Sequence, residues 1–543
     1  MWRVPDAAPV GPRDAGDMGV TTHGEATRDP GMDARHDGDA RHERLTLFAM
    51  CFGLFMIMLD NTIVNVALPS IQRDLHATPE TLAWTVNAYV VPFAALILLG
   101  GKLGDRFGRR RMFVVGVAVF TAASAVCALS TTVGALVAAR AVQGAGAALM
   151  NPLSLSILVA TFPRERLSVA IGVWAGISGL GLAIGPLLGG VLVENVDWSA
   201  VFWINVPIGV VAMAVTLRAV RESRDATGRS LDIPGAGLVT SALFCLVWGL
   251  IKSDSHGFGS AYVIGFLIAG LVLGILFVAW ERRAVDPMLP LSFFARRVFS
   301  VSDTLMLLVG FAMFGTIYYG ALYLQNIQGY SALQAGLRTL PWTLMILVVA
   351  PIAGRLNTRI GARMPAGAGM LLVGLGLIGL ARLSASSAYS SIWPYFVLCG
   401  IGTALVMPTV SAAAMSAIAA DKAGVGSGVL NTARQVGGAL GIAVLGAVAT
   451  GRIGTRWDQF VATVPPGLRM QVAHLAPLVD GGQLRPIADL AGPTATQAAS
   501  SAFMAGFHAA MWTAAALCLV AAVVAFAGLA PARSRRNPVV AAV

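Results

Sequence analysis

Apolar runs of about twenty residues, each closed by a short polar or charged stretch, recur from Leu45 almost to the end of the chain. A helix needs a run of that length to cross the hydrocarbon core of a bilayer. The runs predict fourteen spans, at 45–69, 81–101, 112–130, 133–155, 167–193, 200–220, 233–251, 262–280, 299–325, 336–356, 364–381, 393–415, 427–450 and 504–530. Strands of an outer-membrane barrel alternate and are about ten residues long, so the expected class is an all-α polytopic membrane protein. Residues 1–44 carry Asp, Arg, Gly and His without an apolar core. They are expected as a disordered tail rather than a signal peptide, which leaves the first span to direct insertion.

The basic residues orient the spans. With the N-terminus inside, the cytoplasmic loops and C-terminal tail hold 22 Lys and Arg and the short outer loops hold 4, namely Arg73, Lys252, Arg338 and Arg382. That asymmetry places both termini in the cytoplasm. The expected organisation is a tail at 1–44, a six-helix bundle at 45–220, a linker with two inserted helices at 221–298, a second bundle at 299–530 with a long outer loop at 451–503, and a tail at 531–543.

Composition supports this reading. Of 543 residues, 56% are hydrophobic and 12% charged, against about 25% charged in a soluble domain. A net charge of +11 could suggest nucleic acid, but the cations punctuate the apolar runs instead of gathering on one face, so no nucleic-acid partner is expected. The five cysteines all fall inside apolar segments without CxxC spacing, the distribution of small buried hydrophobes. There is no G-x-x-x-x-G-K-[ST], HExxH, GxSxG or metal-ligand cluster. Neither enzyme chemistry nor a metal is expected.

The chain repeats itself. G-[KR]-L-x-x-R-x-G-x-R occurs from Gly101 and again from Gly354, and Gly144–Pro152 resembles Gly400–Pro408, at offsets of 253 and 256 residues. Two six-helix halves in parallel orientation, with two helices inserted between them, are implied. Parallel halves around a midplane site are a transporter plan in which one half rocks against the other. In the first copy Gly101, Asp105, Arg106, Gly108, Arg109 and Arg110 form a tight charged turn. Asp105 can accept from the arginines or cap the next helix, making either a latch that breaks and reforms or a plain topogenic loop. The second copy has Thr358 in place of the acid. Span 5 carries Gly181, Gly185, Pro186, Gly189 and Gly190, a groove for close helix packing or a bendable seam.

Charges inside spans are functional candidates by default. Two basic residues, Arg140 and Arg434, lie there away from the span ends, and Asp60 is the deep acid. Asp60 lies about 15 residues, roughly 22 Å, into span 1, and Arg140 is at similar depth in span 4. Burial favours the protonated form of an unpaired carboxylate, so Asp60 is either a proton carrier whose partner is Arg140 in one state, or a structural acid held by Asn61, Asn65 or a neighbouring helix. Gln143, one turn on, could extend the relay. Arg434 either functions or snorkels to the surface. Tyr89, Trp174, Phe314, Tyr318, Tyr323, Gln325 and Met407 are candidate liners of a substrate cavity, as are Asn61 and Asn65.

These motifs together resemble the major facilitator superfamily, and within it the bacterial fourteen-helix drug:proton antiporter family. The resemblance rests on Leu59–Ile71, Gly101–Arg111, Arg140–Ala148, Gly181–Gly190, Asp197–Gly209, Tyr323–Gly329 and Asn431–Gly438. It implies two six-helix bundles plus two inserted helices. It also implies proton-driven export of small lipophilic or cationic molecules across the cell membrane, with no cofactor and with Asp60 and Arg140 in coupling. Relatives specialised for dications carry an acid in span 10, and Gly336–Leu356 has none, which points to neutral or monocationic lipophiles. An exporter of one endogenous antibiotic is the alternative. A membrane sensor or scaffold is more remote, because it has no need of a lone intramembrane acid.

Overall fold

The computed structural model describes residues 30–224, 232–257, 259–418 and 423–529. Of the two expected tails, 1–29 and 531–543 lie outside the described residues, and 30–44 belong to the first helix. Every regular element among the described residues is helical. The first half comprises α1 (Pro30–Asp74), α2 (Pro79–Phe107), α3 (Arg109–Ala128), α4 (Val133–Thr161), α5 (Arg164–Asn195), α6 (Ala200–Trp203) and α7 (Asn205–Ala219), the last two forming one span. α8 (Ile233–His256) and α9 (Ala261–Glu281) are the inserted hairpin. The second half comprises α10 (Arg297–Leu322), α11 (Ala332–Ile360), α12 (Arg363–Leu380), α13 (Tyr389–Ser416), α14 (Ala423–Thr463), α15 (Pro466–Ala473), α16 (Ala476–Asp480) and α17 (Leu484–Gly528). A π-helical turn, Tyr323–Ile327, continues α10. Thirteen helices are long and apolar enough to cross a membrane, and α5 contributes the shorter apolar segment Ile184–Asn195. That agrees with fourteen spans.

The helices begin where polar caps permit. Thr78, Thr132 and Ser260 accept from the amides of Thr81, Ala135 and Val263, and Ser331 with Gln334 forms a capping box at α11. Inside each half, glycine lets backbones touch. A Cβ at Gly144 would strike the Tyr89 carbonyl of α2, and one at Gly400 would strike the Trp342 carbonyl of α11. The two contacts are equivalent in the repeat. So are Gly108, at φ 108°, and Gly361, at φ 78°, which end α2 and α11 in conformations that side chains resist. This explains the glycine recurring in the repeated motif.

Between the halves, α5 packs on α11 and α2 on α14. The hairpin lies beside the second seam, with α8 touching both α2 and α14. It is tied to α2 at either end: Lys252 pairs with Glu80 at 2.8 Å, and Lys102 donates to the Asp286 carbonyl just after α9. Asp232 joins the hairpin's own ends, accepting from the Gly235 amide at 2.9 Å and from Trp280 Nε1 at 2.7 Å. Burial pushes the Asp232 carboxyl up, but these hydrogen bonds outweigh it and hold the group below its usual value. The ionised cap therefore stabilises the fold above the unfolded carboxylate pKa, and its contribution disappears as pH falls through the lower folded value. Asp232→Ala is expected to cost about 1 kcal/mol at neutral pH, with the difference from wild type vanishing in strong acid; thermal unfolding of both proteins across pH checks this.

The segment 451–503, expected as a long loop, is mostly helical. α14 runs on to Thr463, α15 and α16 follow, and α17 starts at Leu484 and bends at Gly492 (φ 78°), just before Pro493. Arginines and aspartates on the outer face make the segment too polar to read as spans. Its inner face buries Trp457, Val479 and Ile487.

Candidate functional site

Asp60 of α1 is fully buried and meets three donors. Arg140 Nη1 of α4 lies 2.6 Å from Oδ2, and Gln143 Nε2 and Asn205 Nδ2 reach Oδ1 at 3.0 and 3.3 Å. Arg140 also donates to Gln143 Oε1 at 2.6 Å and through Nε to the Thr85 carbonyl at 3.1 Å, while Gln143 donates to Ser124 Oγ at 2.8 Å. Above the guanidinium, the Tyr89 ring sits 4.3 Å from Cζ, with Phe202 at 5.8 Å. Five spans of the first half, α1, α2, α3, α4 and the α6–α7 span, thus supply the cluster around one carboxylate. Donors reach both of its oxygens. The matched depths of Asp60 and Arg140 anticipated their meeting, and Gln143 extends the relay as expected. Asn61 and Asn65 do not hold the acid: their amides donate back to the Ile57 and Asn61 carbonyls of their own helix. Asn205, Ser124 and Thr85 were not singled out in the sequence, although Asn205 lies inside a quoted motif.

At the end of the molecule that carries the Gly101–Arg111 turn, Asp105 accepts from Arg109 at 2.8 Å. The cap of α3 comes from elsewhere: Glu222, beyond α7, accepts from the Arg110 and Arg111 amides at 3.0 and 3.2 Å. Arg110 Nη2 reaches the Leu217 carbonyl at 2.7 Å, and Arg106 lies over the neighbouring Phe107 ring. Gly108 has Glu222 where a Cβ would stand, and Gly101 and Gly104 face Pro152 and Leu153 of α4. The turn is therefore held mainly by its own half, and through Lys102 also by the segment after α9.

The glycines of α5 divide between two partners. Gly181, Gly185 and Gly189 face Met58, Thr62 and Ile63 of α1. Gly190 and the Pro186 carbonyl instead face α11: an added Cβ at Gly190 would lie 2.5 Å from Leu333 Cα, and one at Gly336 would overlap the Pro186 oxygen. Glu194 caps α11 across the same seam through Ser331 Oγ at 2.7 Å and the Leu333 amide at 3.2 Å. Nearby, Gln325 donates to the Val66 carbonyl and Asn326 to Gln72 and to the Gly481 carbonyl. This far end of the seam is sealed by direct contact. At the same end, on the α2/α14 side, lies a cavity of about 30 Å³ lined by Glu80, Tyr318, Tyr319, Ala443, Thr450 and Gly481 among others, roughly a tenth of what a drug-sized molecule fills.

The other expected liners scatter. Tyr323 stacks on Phe507 and is held by the Ser384 carbonyl and Gln328, and Gln325 belongs to the far-end seal. Trp174 donates to Ser154 Oγ at 3.2 Å, and Met407 is half-buried on α13. Phe314 is buried with its ring 5.9 Å from Arg434 Cζ. Arg434 is 5% exposed and bonds Asn431, which meets Asn151 of the other half, so it does not snorkel.

Comparison with known proteins gives a consistent picture. The family described as Major Facilitator Superfamily matches residues 50–442. The tetracenomycin C resistance and export protein of Streptomyces glaucescens is 39% identical over 488 residues, covering 88% of this chain and 90% of that protein. The multidrug resistance protein Stp of Mycobacterium tuberculosis (strain CDC 1551 / Oshkosh) is 37% identical over 409 residues, 75% of this chain and 76% of that one. Among solved structures, an inward-facing, unoccupied bacterial homolog of the human lysosomal transporter Spinster superposes with a TM-score of 0.63 at 18% identity, covering 90% of this chain and 98% of that one. That likeness concerns the fold.

Proposed function

This chain belongs to the Major Facilitator Superfamily, and from that footing we propose that it exports lipophilic antibiotics and drug-like compounds across the cell membrane in exchange for protons. The observation that carries the reading is the buried Asp60–Arg140 pair with Gln143 and Asn205 around it. A carboxylate inside a membrane bundle gains and loses a proton only when water reaches it, and alternating access supplies water from one side at a time. In the sealed state Asp60 faces only donors; protonation from the outside would cancel its charge, release Arg140 and shift the balance between states. The names of the relatives, which cover antibiotic and multidrug export, support the cargo class. The excess of basic residues at the Gly101–Arg111 end supports cytoplasmic termini, so the far end is the outer one. Relatives named for single antibiotics favour a dedicated exporter as the second reading.

Inside-out vesicles holding an acid interior test the proposal. Adding a transported compound from a panel of neutral, cationic and anionic lipophiles is expected to release luminal protons, recorded with a pH-sensitive dye. Silence across the panel from correctly inserted protein would overturn proton-coupled drug export.

A further inference from the structure

Arg434 is the second cation buried inside a span, and it differs from Arg140 in having no acid beside it. Its position is fixed by backbone packing, since a Cβ on Gly310 of α10 would strike the Arg434 carbonyl oxygen. From there the side chain reaches the seam between the halves. Nη2 donates to Asn431 Oδ1 at 2.9 Å, and Asn431 Nδ2 donates in turn to Asn151 Oδ1 of α4 at 3.2 Å. Phe314 flanks the guanidinium at 5.9 Å. Among the described residues no Asp or Glu pairs with Arg434, and Asp303, on α10, lies about 10 Å nearer the cytoplasmic end than Gly310. Tyr89 lies within electrostatic reach of Arg434, Arg140 and Asp60, and its buried hydroxyl has no hydrogen-bond partner.

The charges at the centre sum in one direction. When Asp60 is ionised it cancels Arg140 and leaves the charge of Arg434; when Asp60 is protonated, two cations remain. The centre of the protein is therefore positive in both states of the acid. A lipophilic cation would enter against that field, whereas a guanidinium with unused donors matches the planar oxygens of an acid. We propose that Arg434 is a substrate-binding residue that selects lipophilic molecules bearing an anionic oxygen such as a carboxylate, phenolate or enolate, with Phe314 and Tyr89 beside their apolar part. This differs from the neutral or monocationic lipophiles expected from the sequence. Its transport consequence rests on the export reading, whereas its binding consequence does not.

Two probes with the same apolar body and opposite charge test it: pyrenebutyrate and pyrenebutyl-trimethylammonium. Their affinities for the full-length protein in nanodiscs are read by fluorescence anisotropy at fixed pH and salt, without a gradient. Wild type is expected to bind the carboxylate at least tenfold more tightly. Arg434→Gln should abolish that ratio while leaving ammonium binding unchanged or tighter, and Arg434→Lys should keep most of it. Preference for the ammonium, equal affinities, no binding of the carboxylate, or an equal loss for both probes in Arg434→Gln would overturn the inference. The wild-type ratio and Arg434→Lys decide the matter if Arg434→Gln does not fold. Proton release in vesicles separates the two claims: selective binding without release defeats the export reading alone, and release with both probes bound equally defeats only the role of Arg434.

Discussion

Vesicles carrying Asp60→Asn are expected to show no proton release on addition of substrate, with gradient-driven accumulation reduced to the passive level. The substitution keeps the shape of the side chain and removes the carboxyl that the proposal makes the proton carrier. It also leaves Arg140, 1% exposed, without a counter-charge, and breaking a buried pair in this way costs about 3–5 kcal/mol. The Gln143 and Thr85 oxygens and the Tyr89 ring offset part of that. Loss of coupling and loss of stability can be separated with Asp60→Asn/Arg140→Gln. Removing both charges should restore most of the thermal stability, because no buried ion is left unpaired, and should restore none of the coupling. Wild-type proton release from Asp60→Asn would remove Asp60 from the coupling path.

The second large effect concerns the sealed end, which the proposed orientation places outside. Gly336→Val cannot be accommodated there, because the obstacle is the Pro186 carbonyl oxygen rather than a side chain that could turn away. Gly190→Val meets Leu333 Cα and the Ala332 carbonyl for the same reason. Overpacking of this kind costs about 1–3 kcal/mol, and the upper value lowers the population of one state relative to another by roughly a hundredfold. Both variants should fold, sit with the outer end apart, and transport poorly. Thr450→Cys, in the lining of the small cavity, reports the change: an impermeant maleimide added outside should label it faster in the Gly336→Val background. Four of the five native cysteines are buried, which keeps the background low. Unchanged labelling and unchanged transport would show that the contact is not part of the cycle.

Much of this was legible in the chain because a bilayer imposes length on its helices. Apolar runs gave the number of spans, although α14 runs on to Thr463 and α17 begins as early as Leu484. The Asp60–Arg140 contact was readable from depth, since two opposite charges at one level of a membrane have few other partners. Its remaining members were not readable in this way. Asn205 and Ser124 come from α7 and α3, and nothing local in a uniformly apolar helix says which face turns inward. The Glu222 cap on α3 spans 112 residues of sequence and leaves no periodicity. In 451–503 only short helices within an outer loop could be anticipated, because half of each helix faces water and the composition reads as loop although the inner faces are packed. Arg434 was found as a charge, but its lack of an acidic partner among the described residues is a property of the packed structure.

The inserted hairpin makes the two sides of the molecule unequal toward the surrounding lipid. α8 runs along the α2/α14 seam, and the hairpin is pinned to α2 by Lys252–Glu80 and Lys102–Asp286, so that side is shuttered. Along the α5/α11 seam no such pair of helices is packed among the described residues. A molecule dissolved in the bilayer therefore meets a closed wall on one flank and a bare joint on the other.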